Sequence, residues 1–203
     1  QRAMHREFPA LRAVASVTLV EAGDRLLPTF SPASSARAGR DLEHLGVRLR
    51  LGAGVERMHP GAVRLSDGNV LRAGTMIWAA GVVADPRWAV LGTTDRSHRL
   101  EVSSTLRLAD RIRVPGDLAH LAGPDGRPLP MVGSVALQMG RYVGRALVDQ
   151  RAGRPLRPFA YRDKGQMAIV GRRRAVVELA GGLRLTGLVA WLAWLGLHLF
   201  YLT

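Results

Sequence analysis

The apolar positions of the chain begin as short runs of strand length separated by a helical pattern. Residues 17–20 are continuously apolar or β-branched, and 47–51 predicts a second strand. Between them, residues 36–45 place apolar side chains at helical spacing, with Ser34 and Ser35 as candidate caps. This order predicts an α/β fold whose first strand is buried on both faces, as in a parallel sheet.

Alternating segments follow and predict antiparallel excursions. Residues 62–65 and 70–71 flank the turn 66–69, whose Asp-Gly pair is typical of hairpins. Residues 75–81 predict a second buried strand that ends in small side chains, and 102–108 predicts a further β excursion.

The most informative stretch is 112–117, which runs Ile-Arg-Val-Pro-Gly-Asp. It predicts a short strand, a tight turn at Gly116 and a carboxylate, Asp117, at the strand's end. Open α/β sheets bind nucleotides at that edge, and a carboxylate there can accept hydrogen bonds from sugar hydroxyls. An ordinary turn is the alternative, because Gly-Asp pairs are common in turns.

The C-terminal part combines a helix, a hairpin and a long uncharged segment. Apolar positions in 133–149 predict a helix, and 167–171 with 175–179 predict a hairpin joined through three arginines. Residues 185–202 carry no charge. As a helix they would rise about 27 Å, slightly less than the roughly 30 Å of a bilayer's hydrocarbon.

The aromatic residues of this last segment favour one of three arrangements. They share one helical face with a histidine and run through the middle of the segment rather than its ends: Trp191, Trp194, His198 and Tyr201. Spanning helices concentrate aromatics near both ends, so this pattern favours a helix lying in the membrane surface. A transmembrane helix at 185–202 and a soluble core helix are the alternatives.

Composition excludes several classes of chemistry. The chain has 203 residues, 47% of them hydrophobic, and no cysteine. A disordered chain, a disulfide framework, thiolate metal sites and dithiol redox chemistry are therefore excluded. The six histidines lack paired ligand spacing, so we predict no metal site.

The net charge of +13 comes almost wholly from arginine, since Lys164 is the only lysine. The arginines are scattered and few aromatics interleave with them, whereas nucleic-acid grooves concentrate charge and add stacking rings. We therefore predict no nucleic-acid partner. An anionic membrane surface fits the charge better.

Several motifs occur in one order along the chain and together resemble those of a known family. The motifs are 17–23 (VTLVEAG) with 26–28 (LLP), 77–82 (IWAAGV), 114–119 (VPGDLA), 136–138 (ALQ) with 140–142 (GRY), 161–171 (YRDKGQMAIVG) and 190–198 (AWLAWLGLH). Together they resemble those of the type II NADH:quinone oxidoreductases, single-subunit flavoproteins of respiratory membranes.

The resemblance implies an architecture for the chain. This is α/β, part of a Rossmann-like flavoprotein with two dinucleotide-binding domains, antiparallel β excursions and a C-terminal hydrophobic helix. Residues 1–83 would form the second half of the NADH-binding domain, and 84–153 the C-terminal part of the FAD-binding domain. Residues 154–203 would form a β-hairpin and a membrane-associating helix.

The resemblance also assigns cofactor-binding residues: Glu21, Ala80, Gly81, Gly116, Asp117, Ala136, Gln138 and Lys164. Glu21 would hold the adenosine ribose hydroxyls of NADH and repel the extra phosphate of NADPH. Asp117 would bind hydroxyls of FAD. The N-terminus of helix 133–149 would face the pyrimidine edge of the flavin, where its dipole stabilises the anionic reduced form.

Lys164, near the isoalloxazine, and Gln138 would be the catalytic residues, while Ser134, Gln138 and Met167 would line a quinone pocket. A solvated strand-end glutamate, a plain buried strand at 78–81 and a solvated turn lysine are the alternatives. Many relatives carry Ala-Gln where this chain has Gly133 and Ser134. No Gly-x-Gly-x-x-Gly fingerprint occurs, so we expect the fingerprints upstream of residue 1 in a longer protein.

The implied activity is hydride transfer from NADH to FAD and electron transfer to a membrane quinone without proton pumping. The implied location is the cytoplasmic face of the cell membrane, as a peripheral protein, and a homodimer is compatible with it. We expect this segment alone to be inactive. Two alternatives stay open: a degenerate non-catalytic copy, and another FAD-dependent pyridine-nucleotide oxidoreductase. A sulfide:quinone reductase is disfavoured because persulfide transfer needs thiols.

Overall fold

The computed structural model describes residues 15–202, which divide into two compact units. The first unit contains the residues up to Ile77 and those from Gly165 onward, and the second contains Trp78–Lys164. The predicted division by cofactor, into 1–83, 84–153 and 154–203, stays a prediction.

The first unit begins with a strand–helix–strand segment. Strand β1 (Val17–Glu21) and strand β2 (Val47–Leu51) are parallel and are connected through helix α1 (Pro32–His44). The expectation that β1 is buried on both faces is wrong, because Val17 is 41% exposed and the rest of β1 is only half-buried. The reason is that the described part of this sheet has only two strands and α1 packs on β2.

Helix α1 begins earlier than expected. Its cap is Ser31, whose hydroxyl accepts a hydrogen bond from the Ser34 amide at 3.3 Å, and not Ser34 or Ser35. Pro32 occupies the first helical position, where its fixed φ suits the helix and its missing N–H costs nothing. Ser34 and Ser35 are buried in the first turn, and the Ser35 hydroxyl donates to the Leu26 carbonyl at 2.6 Å.

An antiparallel sheet follows, and it contains the hairpin that the sequence predicted at residues 62–71. Strands β4 (Ala62–Leu65) and β5 (Val70–Arg72) pair across the predicted turn, and β3 (Val55–His59) adds a third strand. Leu65 is fully buried, and the neighbouring Val63 is buried beside it. This sheet has its own small core.

Residues 75–81 contradict the prediction of a buried strand. They form no strand, and the side chains of Ile77 and Trp78 are 86% and 62% exposed. An apolar run becomes a strand only where a neighbouring backbone supplies hydrogen-bond partners, and no described residue pairs with this segment.

The second unit combines short strands with one long helix. Its strands are β6 (Leu100–Glu101), β7 (Arg107–Ala109), β8 (Ile112–Arg113) and β9 (Ala119–His120), and its helix is α2 (Gly133–Arg151). The strand predicted at 112–117 ends at Arg113. Pro115 has no N–H to pair and Gly116 has a φ of +77°, so pairing stops and a short 3₁₀ turn (Gly116–Leu118) follows. The core of this unit packs β-segment side chains against α2: Leu100, Leu106, Val114, Ala119, Leu121, Leu129, Val135 and Met139.

The chain then returns to the first unit as a hairpin, a third strand and a helix. Strands β10 (Gly165–Gly171) and β11 (Arg174–Leu179) form the predicted hairpin, and β12 (Arg184–Thr186) pairs with β11. Because residues 184–186 are used in this pairing, helix α3 (Gly187–Leu202) begins later than the predicted residue 185.

Strand β11 lies between two helices. Ala175 and Val177 pack against Ala190 of α3, whereas Arg174 and Glu178 contact residues of α1. Within residues 15–202, no helix combines the length and apolarity needed to cross a membrane.

Candidate functional site

Glu21 lies at the carboxyl end of β1, beside the end of the parallel strand β2. Its Oε1 accepts a hydrogen bond from the Gly23 amide at 2.8 Å, which fixes the side chain in the turn that follows the strand. The Gly23 carbonyl in turn accepts the Gly52 amide at 2.8 Å, so the two strand ends are connected. Oε2 has no partner among the described residues and can accept hydrogen bonds from a ligand.

Ala80 and Gly81 lie in the exposed segment that replaces the predicted strand. Their small side chains leave the backbone open to solvent. The structure places them in the second unit, whereas Glu21 belongs to the first.

Gly116 packs closely on helix α2. Its amide donates to the Met139 sulfur at 3.2 Å, and a Cβ at this position would lie 3.6 Å from the Ala136 Cβ. The predicted residues Gly116, Asp117 and Ala136 are therefore brought together. The positive φ explains why glycine occurs at this turn.

Asp117 is exposed and lines an open cleft of about 170 Å³ in the second unit. The cleft is otherwise mostly apolar, with Trp88 and Met131 among its walls, and Asp85 is its second carboxylate. Hydrogen bonds from the Arg87 side chain and amide hold the pKa of Asp85 below its usual value. Asp117 is thus a carboxylate beside a cleft, as the sequence predicted.

The N-terminus of α2 carries no side-chain cap. The Val135 and Ala136 amides donate to the Val132 carbonyl, whereas those of Gly133 and Ser134 have no acceptor among the described residues. Two amides and the positive end of a 19-residue helix are therefore available to an electron-rich group.

The polar side chains on α2 hold the segment that follows it. Gln138 makes two hydrogen bonds of 3.0 Å with the backbone of Arg162, donating to its carbonyl and accepting from its amide. The hydroxyls of Ser134 and Tyr161 are 3.0 Å apart. Both side chains therefore fix residues 161–162, close in sequence to Lys164.

Lys164 is exposed and ends the second unit, and Met167 lies on β10 in the first. Met167 packs against the core formed by Ala175, Val177 and Ala190. The roles assigned to Lys164, Met167, Ser134 and Gln138 stay predictions.

Sequence reasoning missed a charged cluster in the second unit. The Asp95 carboxylate accepts from Arg99 Nε at 2.8 Å and is 2.8 Å from His120 Nδ1, and Arg99 is only 8% exposed. Burial raises the pKa of Asp95, but hydrogen bonds from His120, Arg99 and Ser97 outweigh it, so that the pKa lies well below the usual range. The Asp95–Ser97 spacing is typical of an Asx turn, which the structure contains, but it gives no signal for the contacts of Asp95 with Arg99 and His120.

A second missed carboxylate is Glu178 on β11. It accepts hydrogen bonds from the amide and hydroxyl of Ser31 and from the Ser34 hydroxyl. The side-chain bonds from Ser31 and Ser34 lower its pKa to about 2. A carboxylate directly after the apolar run 175–177 of this strand was the available signal.

The comparisons with known proteins cover most of the chain. The profile of the pyridine nucleotide-disulphide oxidoreductase family matches residues 7–140. The chain is 34% identical over 202 residues to a type II NADH:quinone oxidoreductase of Mycobacterium tuberculosis, covering 93% of this chain and 42% of that protein. It is 30% identical over 167 residues to the type II NADH:quinone oxidoreductase of Haemophilus influenzae, covering 80% and 38%.

Solved structures show the same fold. NDH2 from Plasmodium falciparum in complex with NADH has a TM-score of 0.83 at 14% identity, covering 97% of this chain and 57% of that one. An NAD-dependent persulfide reductase from A. fulgidus has a TM-score of 0.66 at 18% identity, covering 80% and 31%. The predicted α/β fold class is confirmed.

The chain spans about two fifths of the length of the first two curated relatives it matches. The resemblance drawn from its motifs is confirmed by those relatives. On the profile match over residues 7–140, this chain belongs to the pyridine nucleotide-disulphide oxidoreductase family.

Proposed function

We propose that this chain is part of an FAD-dependent enzyme that oxidises NADH and passes the electrons to a membrane quinone without pumping protons. The similarity to curated type II NADH:quinone oxidoreductases supports this activity. When bound, FAD supplies the redox chemistry, accepting a hydride and releasing electrons. The protein's residues bind, orient and shield the reactants.

The observation that carries the proposal is the position of Glu21. Its carboxylate ends a parallel strand, with Oε1 fixed by the Gly23 amide and Oε2 available. The two adjacent hydroxyls of an adenosine ribose are donors that match such an oxygen. A phosphate on that ribose would be repelled by the same charge, which favours NADH over NADPH.

The residues at the FAD side fit a flavin nucleotide. Asp117 lines a cleft and can accept hydrogen bonds from ribityl hydroxyls. The available amides of Gly133 and Ser134 fit the pyrimidine edge of a flavin. There the helix dipole stabilises negative charge on the reduced ring.

Gln138 acts in this proposal mainly as a positioning residue. Its side-chain amide is engaged with the Arg162 backbone, so it holds the segment that leads to Lys164. In this proposal Lys164 interacts with the isoalloxazine. Ser134 of the second unit and Met167 of the first are each proposed as residues that contact the quinone.

Membrane attachment through α3 completes the proposal. Its outward positions are large and apolar, with Leu188, Leu192, Leu199 and Phe200 all at least half exposed. Such a face suits a helix lying in the membrane surface, where its apolar side chains enter the lipid. We therefore propose that the protein attaches peripherally to the membrane through α3. The cytoplasmic face is proposed on the resemblance to the type II NADH:quinone oxidoreductases alone.

The test is cofactor preference in the full-length protein. Glu21→Gln keeps an oxygen for the Gly23 amide but removes the charge. With a soluble quinone we expect kcat/KM for NADH to fall about 10-fold or more, the effect of losing a charged hydrogen bond, and the value for NADPH to rise. Glu43→Gln, at an exposed position on α1, is the matched control and should leave both values unchanged. An unchanged NADH/NADPH ratio in Glu21→Gln would contradict the assignment.

A further inference from the structure

An open cleft of about 440 Å³ lies in the second unit, apart from the cleft beside Asp117. It is formed by the turn between β7 and β8 and by the last turn of α2. Six residues line it, and half of them are arginines. The lining residues are Asp110, Arg111, Arg113, Leu147, Gln150 and Arg151. Nothing in the proposed NADH oxidation uses it.

Arg113 is held in place without being neutralised. Its Nη1 donates to the Thr105 carbonyl at 2.6 Å, and its Nη2 donates to Gln150 Oε1 at 3.0 Å. Both acceptors are uncharged, so the guanidinium keeps its full positive charge in a fixed orientation. Orienting the Gln150 amide in this way leaves its Nε2 as a further donor at the cleft.

The other two arginines have no ion-pair partner in the described residues. Arg111 and Arg151 are both exposed. The one lining carboxylate, Asp110, has a side chain that is 98% exposed. Its Oδ1 lies 3.8 Å from Nη1 of Arg107, a residue that does not line the cleft. Positive charge in the cleft therefore exceeds the negative charge available to balance it.

Arg151 lies in the last turn of α2, where the helix dipole favours a positive charge, but in the part of the chain that the structure describes neither Arg111 nor Arg151 hydrogen-bonds a carbonyl of the helix end. The carbonyls of Val148, Asp149 and Gln150 already accept hydrogen bonds from the amides of residues 152–154. Capping of the helix therefore does not engage the guanidinium groups of Arg111 and Arg151, while Arg113 keeps its two hydrogen bonds to neutral acceptors. A cleft with several uncommitted like charges is stabilised by a bound anion.

We propose that this cleft binds a phosphate-bearing ligand with at least two negative charges. A guanidinium group can donate two parallel hydrogen bonds to the oxygens of a phosphate. The three guanidinium groups carry more positive charge than a ligand with a single carboxylate would neutralise. The volume suits a small head group rather than a large molecule. No aromatic side chain lines the cleft, so stacking of a nucleobase is not part of the recognition.

This chemistry is shared by soluble diphosphates and by phospholipid head groups, and the experiment separates the two. The full-length FAD-loaded protein is titrated with inorganic pyrophosphate by calorimetry. It is also sedimented with vesicles of phosphatidylcholine alone or with added diphosphatidylglycerol, which carries two phosphates. The test variant is Arg111→Gln/Arg151→Gln. The control, Arg96→Gln/Arg145→Gln, removes the same charge from exposed arginines of the same unit.

We expect at least a 10-fold weakening of one of the two interactions in Arg111→Gln/Arg151→Gln and little change in the control. Loss of pyrophosphate binding identifies a soluble ligand, and selective loss of diphosphatidylglycerol binding identifies a lipid head group. Equal weakening in both variants, or no effect in either assay, would overturn the proposal. NADH oxidation with a soluble quinone, measured on the same samples, reports separately on the proposed function.

Discussion

The Glu178 carboxylate on β11 accepts a hydrogen bond from the Ser34 hydroxyl in the first turn of α1 at 2.6 Å. It also accepts the Ser31 amide at 3.1 Å. A residue distant in sequence thus places negative charge at the helix N-terminus, where the dipole favours it. Arg174, on the same strand, contacts the buried Asp41 of α1. These polar contacts connect β11, the central strand of the β10–β12 sheet, to α1.

Replacing Glu178 tests this attachment. Glu178→Ala leaves the Ser31 amide and both serine hydroxyls without their acceptor, and we expect a loss of about 1–3 kcal/mol of unfolding free energy. Glu101→Ala, at an exposed position on β6, is the control and should change little. Urea unfolding of the full-length variants measures the difference. Equal unfolding free energies of the two variants would show that the Glu178 contacts do not stabilise the packing of β11 on α1.

The same carboxylate predicts an acid-sensitive component of stability. The pKa of Glu178 is lowered from 4.5 to about 2 in the folded protein. Its stabilisation is therefore fully present above about pH 4.5 and is lost as the pH falls towards 2. Urea unfolding at pH 6 and pH 3 should show a smaller decrease in Glu178→Gln than in the parent. The same decrease in both proteins would argue against a lowered pKa.

We expect Asp95 to contribute far more to the free energy of unfolding than an exposed aspartate does. Asp95→Ala leaves the buried Arg99 guanidinium without its carboxylate, and breaking a buried pair in this way costs about 3 kcal/mol. Asp85→Ala breaks the exposed pair with Arg87 and removes the acceptor of the Arg87 amide at the start of the 3₁₀ helix Pro86–Leu91, and it should destabilise the protein clearly less than Asp95→Ala. Thermal unfolding of the two variants compares them directly. A shift for Asp95→Ala as small as that for Asp85→Ala would contradict the cluster's structural role.

Two glycines predict opposite responses to alanine. At Gly165, φ is +98° and a Cβ would lie 2.1 Å from the Glu178 carbonyl oxygen, so Gly165→Ala must displace β10 or β11. At Gly144, within α2, a Cβ meets nothing within 4 Å. Gly144→Ala should raise stability by about 0.5–1 kcal/mol through helix propensity. Gly165→Ala should lower the melting temperature, and an unchanged value would refute the close approach.

Local elements were predictable where neighbouring residues determine them. The helix at 133–149 and the hairpins at 62–71 and 167–179 depend on spacing and turn residues, and the structure contains all of them. The strand at 75–81 failed because pairing depends on a neighbouring strand, which an apolar run does not itself encode. The start of α1 was misplaced because several serines compete for one cap, and Pro32 decides between them.

The candidate site was predictable to the extent that it follows strand ends. Glu21 was identified from a carboxylate after an apolar run, and it ends its strand as that pattern indicates. Asp117 lies beside a cleft, but it follows a short 3₁₀ turn and not a strand, because the strand ends at Arg113. The pairing of Gln138 with the Arg162 backbone was not predictable, because it joins residues across a loop with no periodic signal. The cluster around Asp95 was missed for the same reason.

The most direct test of the proposed activity is anaerobic flavin spectroscopy of the purified full-length protein. Addition of stoichiometric NADH should bleach the oxidised flavin band, and subsequent addition of a soluble quinone should restore it. A flavin band that NADH leaves unchanged, or a reduced flavin that quinone fails to reoxidise, would contradict the account.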